Sequence, residues 1–151
     1  MRNWGVVVYN GPDGPLRPEW RRKDDRLSLI AAVDDLFFSA RILETARQVG
    51  VKTKVVAAAK LPAALADREG WAAITAVILD LGSAQALALI RMLRADPQTR
   101  PVPIVGFVSH VATDTIAAAR AAGCDRVLAR SAFTQQLPDL LRSLAAGGPA
   151  G

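Results

Sequence analysis

Three acids, one hydroxyl and one cation carry the chemistry open to this sequence. Asp34-Asp35 follow the apolar run Leu27–Val33, and Asp80 closes the run Ala76–Leu79. Ser109 follows Pro103–Val108, and Arg130 follows Arg126–Ala129. A short continuous apolar run reads as a strand buried on both faces of a parallel sheet. A residue just past its last buried position stands at the carboxyl edge, where open α/β folds bind ligands. Three carboxylates gathered there repel one another and resist full ionisation without a cation. A hard divalent ion such as Mg²⁺ answers this, taking one or two carboxylates together with waters and phosphate oxygens. It would neutralise an incoming phosphoryl group and let Asp80 attack as a nucleophile, giving an aspartyl phosphate. Ser109 offers a hydroxyl to one phosphoryl oxygen, and the Arg130 guanidinium can pair with another.

The elements that must position these residues are regular from Leu27 onward. Strands are expected over Leu27–Val33, Val51–Ala58, Ile74–Leu81, Pro103–Val108 and Arg126–Ala129. Helical spacing of Phe38, Ile42, Ala46 and Val49 predicts a helix over Phe37–Val49, stopped by Gly50. A short helix follows over Leu61–Arg68, with Pro62 in its first turn. Ser83 is the expected cap of a helix through Leu93. Thr113 or Asp114 opens an alanine-rich helix ending at Gly123, whose small residues suit close helix packing or a flat partner face. The last helix carries the stripe Phe133, Leu137, Leu140, Leu141 and Leu144. Its start is expected near Thr134 to Leu137, leaving Pro138 in the first turn. Strands alternating with helices imply a doubly wound α/β fold, a flavodoxin-like (βα)5 parallel sheet of strand order 2-1-3-4-5.

Composition narrows the function classes. A chain of 151 residues holds one domain, and its 51% hydrophobic but only 5% aromatic content implies an aliphatic core. Residues 1–26 carry turn signals and crowded charge: Trp4–Tyr9 reads as a small extra strand, against which stands a leader, partly ordered or disordered, or translation from an over-early start. The domain proper is expected over residues 27–147, with a tail over 148–151. Two of the five net positive charges lie in the leader, and no basic run is interleaved with aromatics, so nucleic acid is not an expected partner. The single cysteine, Cys124, reads as a small buried filler in a reducing, cytoplasmic setting. No apolar run approaches a membrane span.

Taken as a set, these strand ends resemble the response-regulator receiver domain, the phosphoacceptor module of two-component signalling. The likeness covers about Leu27 to Ala146. Its acidic pair corresponds to Asp34-Asp35, its phosphoacceptor to Asp80 in Val77-Ile78-Leu79-Asp80-Leu81, and its switch hydroxyl to Ser109 in Gly106-Phe107-Val108-Ser109. The stretch Ala121-Ala122-Gly123-Cys124-Asp125 through Arg130-Ser131-Ala132-Phe133 resembles the family's run into a Lys-Pro-Phe motif. The resemblance implies Mg²⁺ held by Asp34, Asp35, Asp80 and the Gly82 carbonyl. It also implies phosphoryl contacts from Ser109 and Arg130, and a sensor histidine kinase or other phosphodonor protein as partner. Output would pass to a partner protein through the face of the fourth helix, fifth strand and fifth helix.

The departures are specific. Arg130 stands where the family has lysine, and a planar guanidinium is not a neutral exchange for an ammonium. Ser131 replaces the proline usual after a cis peptide; a non-proline cis bond costs about 3–4 kcal/mol, so a trans bond and a reshaped loop are expected. Val127 occupies the aromatic switch position. The expectation is therefore an atypical, stand-alone receiver that is not itself an enzyme and has no output domain after Gly147. The alternative is a pseudo-receiver, an interaction module that binds no metal and accepts no phosphate. A dehalogenase-type phosphatase would need an Asp-x-Asp that Asp80-Leu81-Gly82 lacks, and a dinucleotide domain would need a glycine loop where Asp34-Asp35-Leu36 stands. Local roles compete for single residues: Asp34 as a helix cap, Asp80 as a turn former, Arg130 as the partner of a surface acid, His110 as a solvated loop residue, Trp71 and Phe133 as packing residues.

Overall fold

Each of the expected strands forms, and they pair in the order β2-β1-β3-β4-β5. The structure, a computed structural model, describes residues 27–66, 71–109 and 113–146. The expected leader, His110, the side chain of Trp71 and the tail lie outside the described residues. The chain runs β1 (Leu27–Ala32), α1 (Leu36–Val49), β2 (Thr53–Val56), a 3₁₀ turn (Ala58–Lys60) leading into α2 (Leu61–Ala66), and β3 (Trp71–Asp80). It continues through α3 (Ala86–Ala95), β4 (Ile104–Val108), α4 (Thr113–Ala122), β5 (Arg126–Ala129) and α5 (Arg130–Ala145). All four strand pairings are parallel.

The sheet has a core on each face, because successive side chains of a strand point to opposite sides. From β1 and β3, Ile30, Ala32, Val77 and Leu79 join Leu61, Ile90 and Leu93 beneath α2, α3 and α4. Leu29, Ala31, Ala76 and Ile78 join Ile42, Phe133, Leu137 and Leu141 beneath α1 and α5. Within α4, Ala119 is fully buried, so the small-residue stripe serves close packing at that position. Gly50 ends α1 in the left-handed conformation (φ 75°), its N–H donating to Ala46 and Arg47 carbonyls, the C-terminal arrangement its position predicts.

Two expectations at helix starts are corrected. Ser83 does not cap α3: the helix begins at Ala86 after Gln85, and the Ser83 hydroxyl accepts from the Gln85 N–H at 3.2 Å in a tight turn. Serine hydroxyls make such local turns as readily as caps. Helix α5 starts at Arg130, not near Thr134 to Leu137, and so carries Pro138 in its interior. An interior proline costs about 3 kcal/mol or more. Early helix formation is what seats Phe133, fully buried against Phe38 and Phe107. Burial of a large aromatic of that kind is worth a similar amount, about 3–5 kcal/mol on truncation.

Candidate functional site

The register delivers the site. Ala32 pairs with Leu79, and Asp80 pairs with Phe107. Asp34 and Asp35 therefore leave β1 beside the end of β3, while Ser109 lies two residues past Phe107, at the same rim. Strand β5 passes into α5 without a loop, Ala129 serving as the N-cap, so Arg130 is the first helical residue at that rim.

Each acid is engaged locally as well. Asp35 caps α1, one carboxylate oxygen accepting from Phe38 N–H at 3.0 Å. Asp80 Oδ1 accepts from Gly82 N–H at 2.9 Å, and a Cβ at Gly82 would meet that oxygen at 3.2 Å. Asp34 Oδ1 accepts from Ala58 N–H at 2.9 Å and so opens the 3₁₀ turn after β2. The cap after β1 is thus Asp35, and Asp34 serves a turn 24 residues further on.

The second oxygens of Asp35 and Asp80 meet one guanidinium. Arg130 Nη1 lies 3.4 Å from Asp35 Oδ2, and Nη2 lies 3.9 Å from Asp80 Oδ2. The Asp80 side chain is 14% exposed and that of Asp35 39%, so Asp80 is the sheltered acid. The guanidinium carbon lies 4.5 Å from the centre of the Phe38 ring and 5.6 Å from that of Phe107. A cation over an aromatic face gains about 0.5–2 kcal/mol. Phe38, Phe107 and Phe133 form one cluster of tilted rings with centroids 4.7–5.6 Å apart, and Phe38 and Phe107 of this cluster are the floor under Arg130. Arg130 Nε is buried without a hydrogen-bond partner.

Electrostatics follow the geometry. The Asp35 carboxyl is held below its ordinary value, first by the Phe38 N–H, and further by the Phe37 N–H and the Arg130 charge, against an opposing penalty from burial. Burial pushes the Cys124 thiol upward, and its Sγ donates to the Arg126 carbonyl at 3.3 Å, consistent with a packed rather than reactive cysteine.

Asp35 Oδ2 and Asp80 Oδ2 are hard oxygens within reach of one guanidinium, a donor set that suits an ion taking one or two carboxylates and completing its shell with water. Asp34 Oδ1 is meanwhile engaged by Ala58 N–H. Among the described residues no group of three metal-ligating side chains is gathered. The sequence thus brings Asp35, Asp80 and Arg130 together, sets Gly82 and Ser109 on the same rim with both residues exposed, and ties Asp34 Oδ1 to Ala58 N–H of the 3₁₀ turn. Val127 is half-buried against the α2–α4 core. The aromatic floor was not singled out from the sequence, where Phe38 and Phe107 read simply as core positions.

The fold is that of response-regulator receiver domains. The receiver domain of the Pseudomonas aeruginosa sensor histidine kinase PA1611, solved with magnesium in its active-site cleft, superposes with a TM-score of 0.66 at 19% identity, covering 80% of this chain and 98% of that one. The chemotaxis response regulator CheY4 of Vibrio cholerae gives 0.65 at 16% identity, over 79% and 98% of the two chains. The phosphorylated cyanobacterial phytochrome response regulator RcpA gives 0.59 at 19% identity, over 78% and 89%. No family model matches the sequence, and no curated protein matches it.

Proposed function

We propose that this chain is an atypical receiver that transduces a signal by accepting a phosphoryl group on Asp80. The observation that carries the reading is the two-sided setting of the Asp80 carboxylate. Oδ1 is occupied by Gly82 N–H, while Oδ2 faces the rim toward Arg130. Oδ2 is thus the attacking oxygen: its bond to phosphorus forms as the bond to the donor group breaks, and the donor leaves with that electron pair. Arg130 Nη2, 3.9 Å from Asp80 Oδ2, would pair with a phosphoryl oxygen of the product, and Ser109 offers a hydroxyl from the end of β4. Asp35, Asp80 and the Gly82 carbonyl would hold Mg²⁺, with Asp34 if released; when bound, it supplies neutralisation of the transferring phosphoryl charge. The likeness to a magnesium-bound receiver supports this assignment.

The donor is a sensor histidine kinase or another phosphodonor protein. Leu36 and Phe37, 82% and 91% exposed beside Asp35, offer it an apolar foothold. Added charge at Asp80 would bias the β4 end and alter the α4–β5–α5 face that a downstream partner reads. The chain acts as a phosphoacceptor and not a turnover enzyme, in the cytoplasm, with no nucleic-acid partner. Among the described residues no helix is long and apolar enough to cross a membrane.

The competing reading is a pseudo-receiver. It is favoured by the Asp34–Ala58 bond and by an arginine already paired with both remaining acids. Treatment with acetyl phosphate and Mg²⁺, followed by intact-mass analysis of wild type and Asp80→Asn, separates the two. A phosphate-sized gain in the wild type that the variant lacks supports the receiver. Its absence leaves the interaction module.

A further inference from the structure

We propose that Arg130 is an internal occupant of the acid rim, which a divalent cation must displace to bind. The proposal rests on the reading of Asp35 and Asp80 as the cation's ligands and names the residue that regulates them. The guanidinium addresses Asp35 Oδ2 and Asp80 Oδ2, the two oxygens left over after the local caps are made. Among the described residues Arg130 pairs with these two carboxylates, while Asp34 Oδ1 accepts from Ala58 N–H. A planar fork reaches two carboxylates at once, whereas an ammonium is a single point of charge.

Two features make the seat exchangeable rather than permanent. Arg130 is held by rings and by two long ion pairs, and its Nε makes no hydrogen bond. Its backbone is fixed at the first turn of α5, so only the side chain must move. Beside it lies a groove of about 550 Å³, lined by Phe37, Arg41, Glu44 and Gln48 as well as Asp35 and Arg130, with room for the swung side chain. Cation and guanidinium compete for the same charge, so removing one must strengthen the other by their coupling factor.

The test is Mg²⁺ titration of the full chain, without phosphodonor, by calorimetry and by ¹H–¹⁵N NMR of the Arg130 Nε–H and Gly82 N–H signals. Arg130→Met should bind Mg²⁺ about tenfold tighter or more, a usual size for coupling between two ligands. In the wild type, the Arg130 Nε–H signal should shift in step with Gly82 as Mg²⁺ is added. If Met at this position disturbs folding, as read by near-ultraviolet circular dichroism, Arg130→Gln takes its place with the same expected gain. Equal or weaker affinity in the folded variant, or an Arg130 signal that stays still while Gly82 moves, overturns the proposal. Binding by neither form overturns it together with the cation assignment, and leaves Asp80 phosphorylation to be judged by mass.

Discussion

Leu81 lies directly over Gly106, so close that a Cβ on residue 106 would stand 2.6 Å from Leu81 Cδ1 and 2.7 Å from its Cγ. The glycine is in the middle of β4, where it sacrifices strand propensity to admit the neighbour of Asp80. Leu81 is only 5% exposed and so lacks an open side into which to rotate. Gly106→Ala should therefore destabilise the fold by about 1–3 kcal/mol, the usual cost of overpacking. Because Leu81 N–H donates to the Phe107 carbonyl at 2.9 Å, the strain should reach the Asp80 turn. Denaturant melts report the first effect, and slower phosphorylation by a small-molecule donor reports the second. An unchanged midpoint would show that Leu81 repacks freely.

Asp35 gives the site a predictable acid limb. Its carboxyl is held below the ordinary value of 3.8 chiefly by Phe38 N–H, with help from Arg130. A depressed folded-state value means that the ionised form contributes stability above the unfolded-state value, and that this is lost as pH falls through the folded value. Asp35→Asn keeps a capping oxygen but removes the charge. The variant should melt below the wild type at neutral pH, and the gap should close on acidification below the ordinary carboxylate range. A gap that persists undiminished in acid would assign the contribution to hydrogen-bond geometry alone.

The strand order was legible because short strand-like runs alternate with helical spacing from Leu27 onward, and that alternation implies parallel pairing with right-handed crossovers. Topology then brought Asp35, Asp80 and Arg130 to one rim from positions far apart in the chain. Three details were not legible, each for a physical reason. The Asp34 side chain is directed by a backbone N–H at Ala58, a contact that no spacing announces. Phe38, Phe107 and Phe133 fit ordinary helix or strand burial, and only their mutual contact makes Phe38 and Phe107 a seat for Arg130. Pro138 argued for a late helix start, but burial of Phe133 outweighed the lost backbone bond.

At the opposite edge of the sheet, Arg94 ties three segments together. Its Nε and Nη2 donate to the Gly123 carbonyl at 3.0 and 2.9 Å, and Nη1 donates to the Val102 carbonyl at 2.7 Å. Nη2 also pairs with Asp125 Oδ2 at 2.7 Å, and the same oxygen accepts from Ile104 N–H at 2.8 Å. Hydrogen bonds to a charged group contribute about 1.5–3 kcal/mol each before coupling, so Arg94→Ala should lose about 2–3 kcal/mol. Arg94→Lys should recover little, because one ammonium cannot reproduce the fork. Both variants should still accept a phosphoryl group when folded, since Asp80 lies at the other edge. Full stability in Arg94→Lys would mean that charge alone, without geometry, holds these segments.

Pro138 offers the most direct gain. It sits in the second half of a 16-residue helix, with Phe133 before it and Leu140, Leu141 and Leu144 after it on the buried face. A proline there removes the bond its N–H would give to the carbonyl of Thr134, and its ring crowds that carbonyl. Replacement by alanine restores the bond and improves helix propensity by about 3 kcal/mol in an ideal helix interior. Greater freedom of the unfolded chain returns about 0.4–1 kcal/mol of this. Pro138→Ala should therefore stabilise the fold by about 2 kcal/mol, seen as a higher melting temperature and a higher denaturant midpoint at unchanged slope. The alternative is that the proline bends α5 so that Phe133 and Leu141 both reach the sheet. In that case straightening the helix would pull Phe133 from its stack, and the variant would melt lower than the wild type.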